Sequence, residues 1–278
     1  MQLTDKHIKQ FLCWYLAWFI IYYTWMFCTG LLFSQVQPVF FINHLDLTGN
    51  ILMLSRLQHL LINSQEIRIF FDLLYLLLPC MLTFFYFKKS KTVPYVAIAT
   101  AVFSLVYNYF YSLMIFVSLE VFVVWMFIPL IFSSCSIKGF YFRLHTVRII
   151  FLIIFLSSAL WKIRAGGIFN IDQMSGVLKT QHAPHLVSDH FDWYASMILW
   201  LINHPAISYT LYVFAFLAEF LFIVGLFTTR FDKYLMILFC MFIIGDYFCM
   251  EINYCGWLTF LGCLYFSRFK LMESKNLP

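Results

Sequence analysis

Residues 11–33 read FLCWYLAWFIIYYTWMFCTGLLF, a run without a single charge. Wound as a helix at about 1.5 Å per residue, it exceeds the roughly 30 Å of hydrocarbon in a bilayer. No small-residue cleavage pattern accompanies it, so it reads as a retained membrane helix and not as a removed leader. The rest of the chain has the same character: of 278 residues 63% are apolar and only 11% charged, against about a quarter charged in soluble domains. The class is an integral membrane protein.

Apolar runs broken by charge or proline predict spans near 11–33, 68–87, 93–110, 112–133, 146–162, 207–228, 232–250 and 252–267. Asn108, among Tyr107, Tyr109 and Tyr111, reads as an interfacial turn dividing a run too long for one crossing. The expectation is an all-α polytopic bundle of about eight spans, one integral membrane domain over 1–270 with a short tail at 271–278. Its basic residues alternate between loops. Thirteen of the 18 Lys and Arg, Arg148 among them, fall on the side of the N-terminus and five on the other. That asymmetry orients membrane proteins with the basic side inside. It predicts cytoplasmic termini and places the long segments 34–67 and 163–206 outside, in a multi-pass protein of the cell membrane. The net charge of +5 is then a topology signal, and nucleic acid is not an expected partner.

Charged side chains within spans are costly, roughly 2.5–3.5 kcal/mol each on insertion scales, so each needs a partner, water or a neutral form. Asp72, Glu120, Glu219, Asp246 and Glu251 lie in or beside spans, most of them toward the outer side, and Lys162 stands at the outer end of the fifth. They are candidates to share one outward-opening cavity. Lys162 is expected to face the bundle, with Glu219, Asp246 or Glu251 within reach. It is either a base served by remote acids or the partner in an ion pair.

The outer loop contains HAPHLVSDHFD at 182–192. His182, His185 and His190 are weak candidates for metal ligation, because their spacing fits no tight motif and Pro184 opposes one continuous helix. No metal is predicted, and a polar loop over the outer mouth is the expectation. Trp193, Met197, Trp200 and Leu201 recur at helical spacing, which suggests a short interfacial helix. The eight cysteines sit in or beside apolar runs as small hydrophobes; only Cys249 and Cys255, near one turn, are placed to pair.

The stretches FLSSALWKIRAGGIFNIDQMSGVL at 155–178 and WLINHPAISYTLYVFAFLAEFLFIVGLFTTRFDKYLMILFCMFIIGDYFCMEINYCGWL at 200–258 resemble the membrane core of vitamin K-dependent gamma-carboxylase and its bacterial relatives, the horizontally transferred transmembrane domain (HTTM) proteins. The likeness runs over about 145–266. It implies that Lys162 matches the family's lysine, the base that activates a hydroquinone, with Glu219 and Asp246 at the family's polar positions. No counterpart of the carboxylase's large extramembrane substrate-gripping part is present, so gamma-glutamyl carboxylation is not expected.

Two functions follow as expectations. One is a quinol- or lipid-linked enzyme in which Lys162, Asp246, Glu219 and Glu251 form the catalytic group. The other is a non-catalytic membrane partner, an immunity or maturation factor whose outer loops bind an exported peptide or another membrane protein.

Overall fold

The structure is a computed structural model that describes residues 4–41, 50–51, 54–115, 119–134, 136–187 and 193–269. All regular structure among these residues is helical. Six helices are long and apolar enough to cross a membrane: α1 (Asp5–Cys28), α3 (Gln65–Phe87), α4 (Val93–Ile115), α6 (Ile137–Arg164), the pair α10 (Pro205–Leu221) and α11 (Ile223–Phe227) taken together, and α12 (Asp232–Met250). Between them lie the shorter α2 (Leu57–Asn63), α5 (Val123–Ile131), α7 (Gln173–Gln181), α8 (Ala183–Val187) and α9 (Trp193–Asn203), and α13 (Phe260–Phe266) follows. The protein is an integral membrane protein.

Two compact units divide the chain: one runs to Val147 and resumes at Cys255, the other is Arg148–Tyr254. In the first unit, α1 starts at a capping box, Thr4 with His7, which satisfies amide groups that a helix start leaves open. Its buried stripe is Ile8, Phe11, Leu12, Tyr15, Phe19, Tyr22 and Met26, while Ile20, Ile21, Trp25 and Phe27 are exposed. A helix apolar on both sides but packed on one is what a lipid-facing span requires. Lipid gives helices no hydrophobic reason to associate, so packing and hydrogen bonds carry the unit. Trp125 of α5, fully buried, contacts the rings of Tyr15, Phe19 and Tyr22. Gly256 lies against its indole, where an added Cβ would come within 3.0 Å of the ring. The Trp257 indole donates to the Val121 carbonyl at 2.9 Å.

Asp72 on α3 is 3% exposed, and three donors converge on it. Tyr107 Oη lies 2.6 Å from Oδ1, the Phe33 amide 3.1 Å from the same oxygen, and the Ser34 amide 2.9 Å from Oδ2. Tyr107 stacks on Tyr75 with centroids 4.0 Å apart. The carboxylate thus ties the chain leaving α1 to α3 and α4.

In the second unit α7 packs on α9, α10 and α12, and α10 on α12. Arg148, 3% exposed, forms a fork with Asp232, 0% exposed: Nε donates to Oδ2 at 2.8 Å and Nη2 to Oδ1 at 2.6 Å. Nη2 also donates to the carbonyls of Gly225 at 2.7 Å and Thr228 at 3.1 Å. This single side chain pins the turn between α11 and α12 to α6. Phe151, Phe155, Phe222 and Phe239 form the aromatic core beside it.

Three features differ from the sequence expectation. Asn108 makes no turn; α4 continues through it to Ile115. Its amide donates to the Ser104 carbonyl at 2.7 Å and to Tyr75 Oη at 3.2 Å, so the polar group is satisfied without leaving the helix. The fifth helix begins at Ile137 rather than near 146, so Lys138 and Arg143 lie in its first two turns and not in a loop. Among the described residues, the runs expected at 112–133 and 252–267 hold the shorter apolar stretches Leu119–Ile131 and Cys255–Phe266. Cys249 carries a free thiol, so the Cys249–Cys255 pair is not formed.

Candidate functional site

The last turn of α6 carries Lys162 and Arg164, cations favoured by the negative end of a helix dipole. They diverge. Arg164 lies over the Trp161 ring at 5.2 Å, whereas Lys162 reaches across to α10. Its Nζ lies 2.5 Å from both Oε1 and Oε2 of Glu219. Glu219 is 3% exposed, and Ser158, one turn before Lys162, donates to Oε1 at 3.1 Å. Tyr212, two turns before Glu219 on α10, presents its ring 5.9 Å from Nζ. Asp246 on α12 lies within electrostatic range of both Lys162 and Glu219.

The chain leaving α6 is shaped to stay beside this pair. Gly166 takes a left-handed conformation, φ 74°, which costs a glycine nothing and most residues strain. At Gly167 an added Cβ would lie 2.6 Å from Tyr212 Oη, so only a glycine lets the turn approach so closely. Tyr209 Oη closes it by donating to the Ile168 carbonyl at 2.5 Å. Ser158, Tyr209 and Tyr212 were not among the candidates from sequence. The spacing of four between Ser158 and Lys162, and of seven between Tyr212 and Glu219, marks them as same-face neighbours once the pair is known.

Chemically, the cluster is an ammonium held by a buried carboxylate beside a hydroxyl and a phenol. Of the two sequence readings of Lys162, the geometry is that of the ion pair. The Lys162 side chain keeps 20% exposure against 4% for Glu219, so the lysine is the member open to a reactant.

Glu251 belongs elsewhere. It ends α12 in a left-handed conformation, φ 54°, with Oε2 3.4 Å from His185 Nε2 and 3.7 Å from His182 Nδ1. Around it, three side chains serve consecutive carbonyls of the last turn of α12. Tyr194 donates to Phe248 at 3.2 Å, His182 Nε2 meets Cys249 at 2.9 Å, and Gln181 donates to Met250. These are carbonyls that a helix end leaves without partners. The chain breaks helix at His182, between α7 and α8, and among the described residues no group of three or more His, Cys, Asp or Glu could hold a metal ion. His190 lies outside the described residues.

Within each unit the acids are held by different partners. Asp72 is consumed by Tyr107 and two backbone amides in the first unit. Glu120 is exposed in the short turn Leu119–Phe122, outside any spanning helix. Glu219 takes Lys162, and Glu251 takes the histidines. No known protein-family profile, curated protein or solved structure matches the chain.

Proposed function

We propose that this protein is a membrane enzyme of the HTTM and vitamin K-dependent carboxylase-like type, acting on a quinol or another lipophilic reductant. Lys162 is its proton-transferring group and Glu219 the acid that holds and relieves it. The observation that carries this reading is the pairing of a half-buried lysine at the end of a spanning helix with a fully buried carboxylate, at 2.5 Å to both oxygens. An ion pair in low dielectric is costly to keep charged, and a proton passing from Nζ to Glu219 removes both charges at once. The neutral amine can then accept a proton from an acidic hydroxyl of the reductant, which leaves the reductant as its anion and the lysine as an ammonium. Asp246 adds charge on the neighbouring helix. In this reading the basic residues concentrated on one side put both termini in the cytoplasm of a cell-membrane protein, with the segment 163–206 outside.

The test uses purified protein and variants that insert normally. A quinone in the lipid extract, displaced or lost in Lys162→Ala and retained in Lys162→Arg, supports the reading. Full complementation of a deletion strain by Lys162→Ala sinks the base assignment.

A second reading, a membrane partner or maturation factor for an exported peptide, is favoured by one observation. A shallow depression of about 710 Å³ runs along α7, lined by Asn170, Asp172, Gln173, Gly176, Val177, Thr180 and Gln181. Its carboxamides and hydroxyl suit a peptide backbone. A recurrent crosslink from 163–206 to one protein, without bound quinone, decides for this reading.

A further inference from the structure

Five helix ends meet at one end of the first unit. Asp5, at the start of α1, accepts from Tyr86 Oη in the last turn of α3 at 3.3 Å. His7 stacks on Phe269, just beyond α13, with centroids 4.2 Å apart. Tyr141, near the start of α6, donates to the Ser267 carbonyl after α13 at 3.5 Å. Phe132, at the end of α5, lies against both Tyr86 and Phe140 of α6. These contacts gather basic residues that are far apart in the chain. Lys6 and Lys9 come from α1, and Lys88, Lys89 and Lys91 from the turn between α3 and α4. Lys138 and Arg143 come from α6, and Arg268 follows α13. Among the described residues Asp5 is the one acid at this end, and Lys9 takes it at 2.8 Å.

One of these cations is not simply displayed to water. Arg143 is half-buried, and its Nη1 is shut off from solvent without a hydrogen-bond acceptor. Phe140 and Val147, to either side of it along α6, are buried. A guanidinium N–H out of water with nothing to donate to is costly, and an anion relieves it. A side chain in the second turn of a helix leans toward the helix start, here toward Ser134 and Ser136. Gly139, one turn before Arg143, makes room for them, since an added Cβ would collide with the Ser134 hydroxyl. A guanidinium, hydroxyls and the positive end of a 28-residue helix together suit a phosphate. The surface just inside this end is apolar and open to lipid: Phe84 and Phe87 on α3 and Ile137 and Phe142 on α6 are exposed, and Lys88 lies over the Phe84 ring at 4.4 Å. The cations thus stand at the level of the headgroups, above side chains that face the acyl chains. We propose that this end of the first unit binds an anionic phospholipid of the surrounding leaflet, with the headgroup phosphate seated on Arg143 and the serine-flanked start of α6. The lysines around it supply the long-range attraction. The inference does not depend on the function proposed for Lys162.

Native mass spectrometry of the full-length protein, released from nanodiscs of phosphatidylcholine with a minor share of phosphatidylglycerol, tests it. The expected result is bound phosphatidylglycerol enriched over its share of the disc. Arg143→Gln is expected to lower its retention about thirtyfold, as the loss of a hydrogen bond to a charged group does. Lys91→Gln, which removes one exposed charge, is expected to lower it no more than about fivefold. An excess of inorganic phosphate is expected to leave the lipid in place. A photoreactive phosphatidylglycerol on the wild type, which needs no variant to fold, is expected to label residues 133–147. The proposal is overturned by equal retention of the two lipids, by equal losses in the two variants, which would show diffuse attraction alone, or by labelling confined to other segments. Displacement of the lipid by inorganic phosphate also overturns it, in favour of a soluble anion.

Discussion

Lys162 and Glu219 meet through both carboxylate oxygens, at 2.5 Å each, although 57 residues separate them in the chain. Breaking such a pair from one side leaves a charge in low dielectric without its partner. Glu219→Gln is therefore expected to lower stability by about 2–3 kcal/mol, read as reversible unfolding in mixed micelles. Adding Lys162→Met to Glu219→Leu removes both charges and is expected to recover most of that loss while abolishing any proton transfer. A double variant no more stable than Glu219→Gln refutes this account of the pair.

Arg148 and Asp232 are more deeply buried, and neither keeps appreciable contact with solvent. Arg148→Met strands Asp232 and frees the carbonyls of Gly225 and Thr228, for an expected cost of about 3 kcal/mol or more. Pairing it with Asp232→Leu is expected to return a large part of the loss, and a double-mutant cycle on unfolding free energies measures the coupling.

Asp72 accepts from one phenol and two backbone amides. In Asp72→Asn the carboxamide nitrogen must face a donor, so one of these bonds becomes a donor–donor clash, with an expected loss of about 2 kcal/mol. Tyr107→Phe removes a single donor while keeping the stack on Tyr75, and about 1 kcal/mol is expected. If thermal unfolding ranks the two the other way, the carboxylate is not the tie between α1 and its neighbours.

Gly225 is a close approach. An added Cβ would come within 2.8 Å of methyl groups of both Leu152 and Leu235. The ends of leucine side chains can shift, so Gly225→Ala is expected to cost about 1 kcal/mol and Gly225→Val about 2–3 kcal/mol as overpacking grows. The unfolding midpoints of the two variants give the comparison directly.

The membrane class was legible because uncharged runs of spanning length are a local signal: α1, α3 and α12 can be found without knowing what they touch. Boundaries failed where a polar group had a distant partner. Asn108 looked like a turn because Tyr75 and its own helical carbonyl at Ser104 could not be seen from its neighbours. The start of α6 was missed for another reason: Lys138 and Arg143 read as loop charges, although they fall in its first two turns. The nearness of Lys162 to an acid could be argued from energy alone, since each charge in a span needs the other. Which acid it would be depended on the facing of α10. Two of the three partners of Asp72 had no signal at all, being the backbone amides of Phe33 and Ser34, whose side chains have no part in it. The trio serving the end of α12 was hidden for the same reason, because its acceptors are carbonyls.

The Arg148–Asp232 fork also sets a timetable for biosynthesis. The two residues are 84 positions apart, so at roughly 5–20 residues per second a ribosome emits the guanidinium about 4–17 seconds before the aspartate that neutralises it. During that interval α6 holds an uncompensated cation well inside its length. The helix therefore has to wait at the insertion machinery, or against water, until α12 is made. A nascent chain stalled before Asp232 exposes this intermediate, with a cysteine placed one turn from Arg148 open to a water-soluble maleimide and shielded once residue 232 and the helix behind it have emerged.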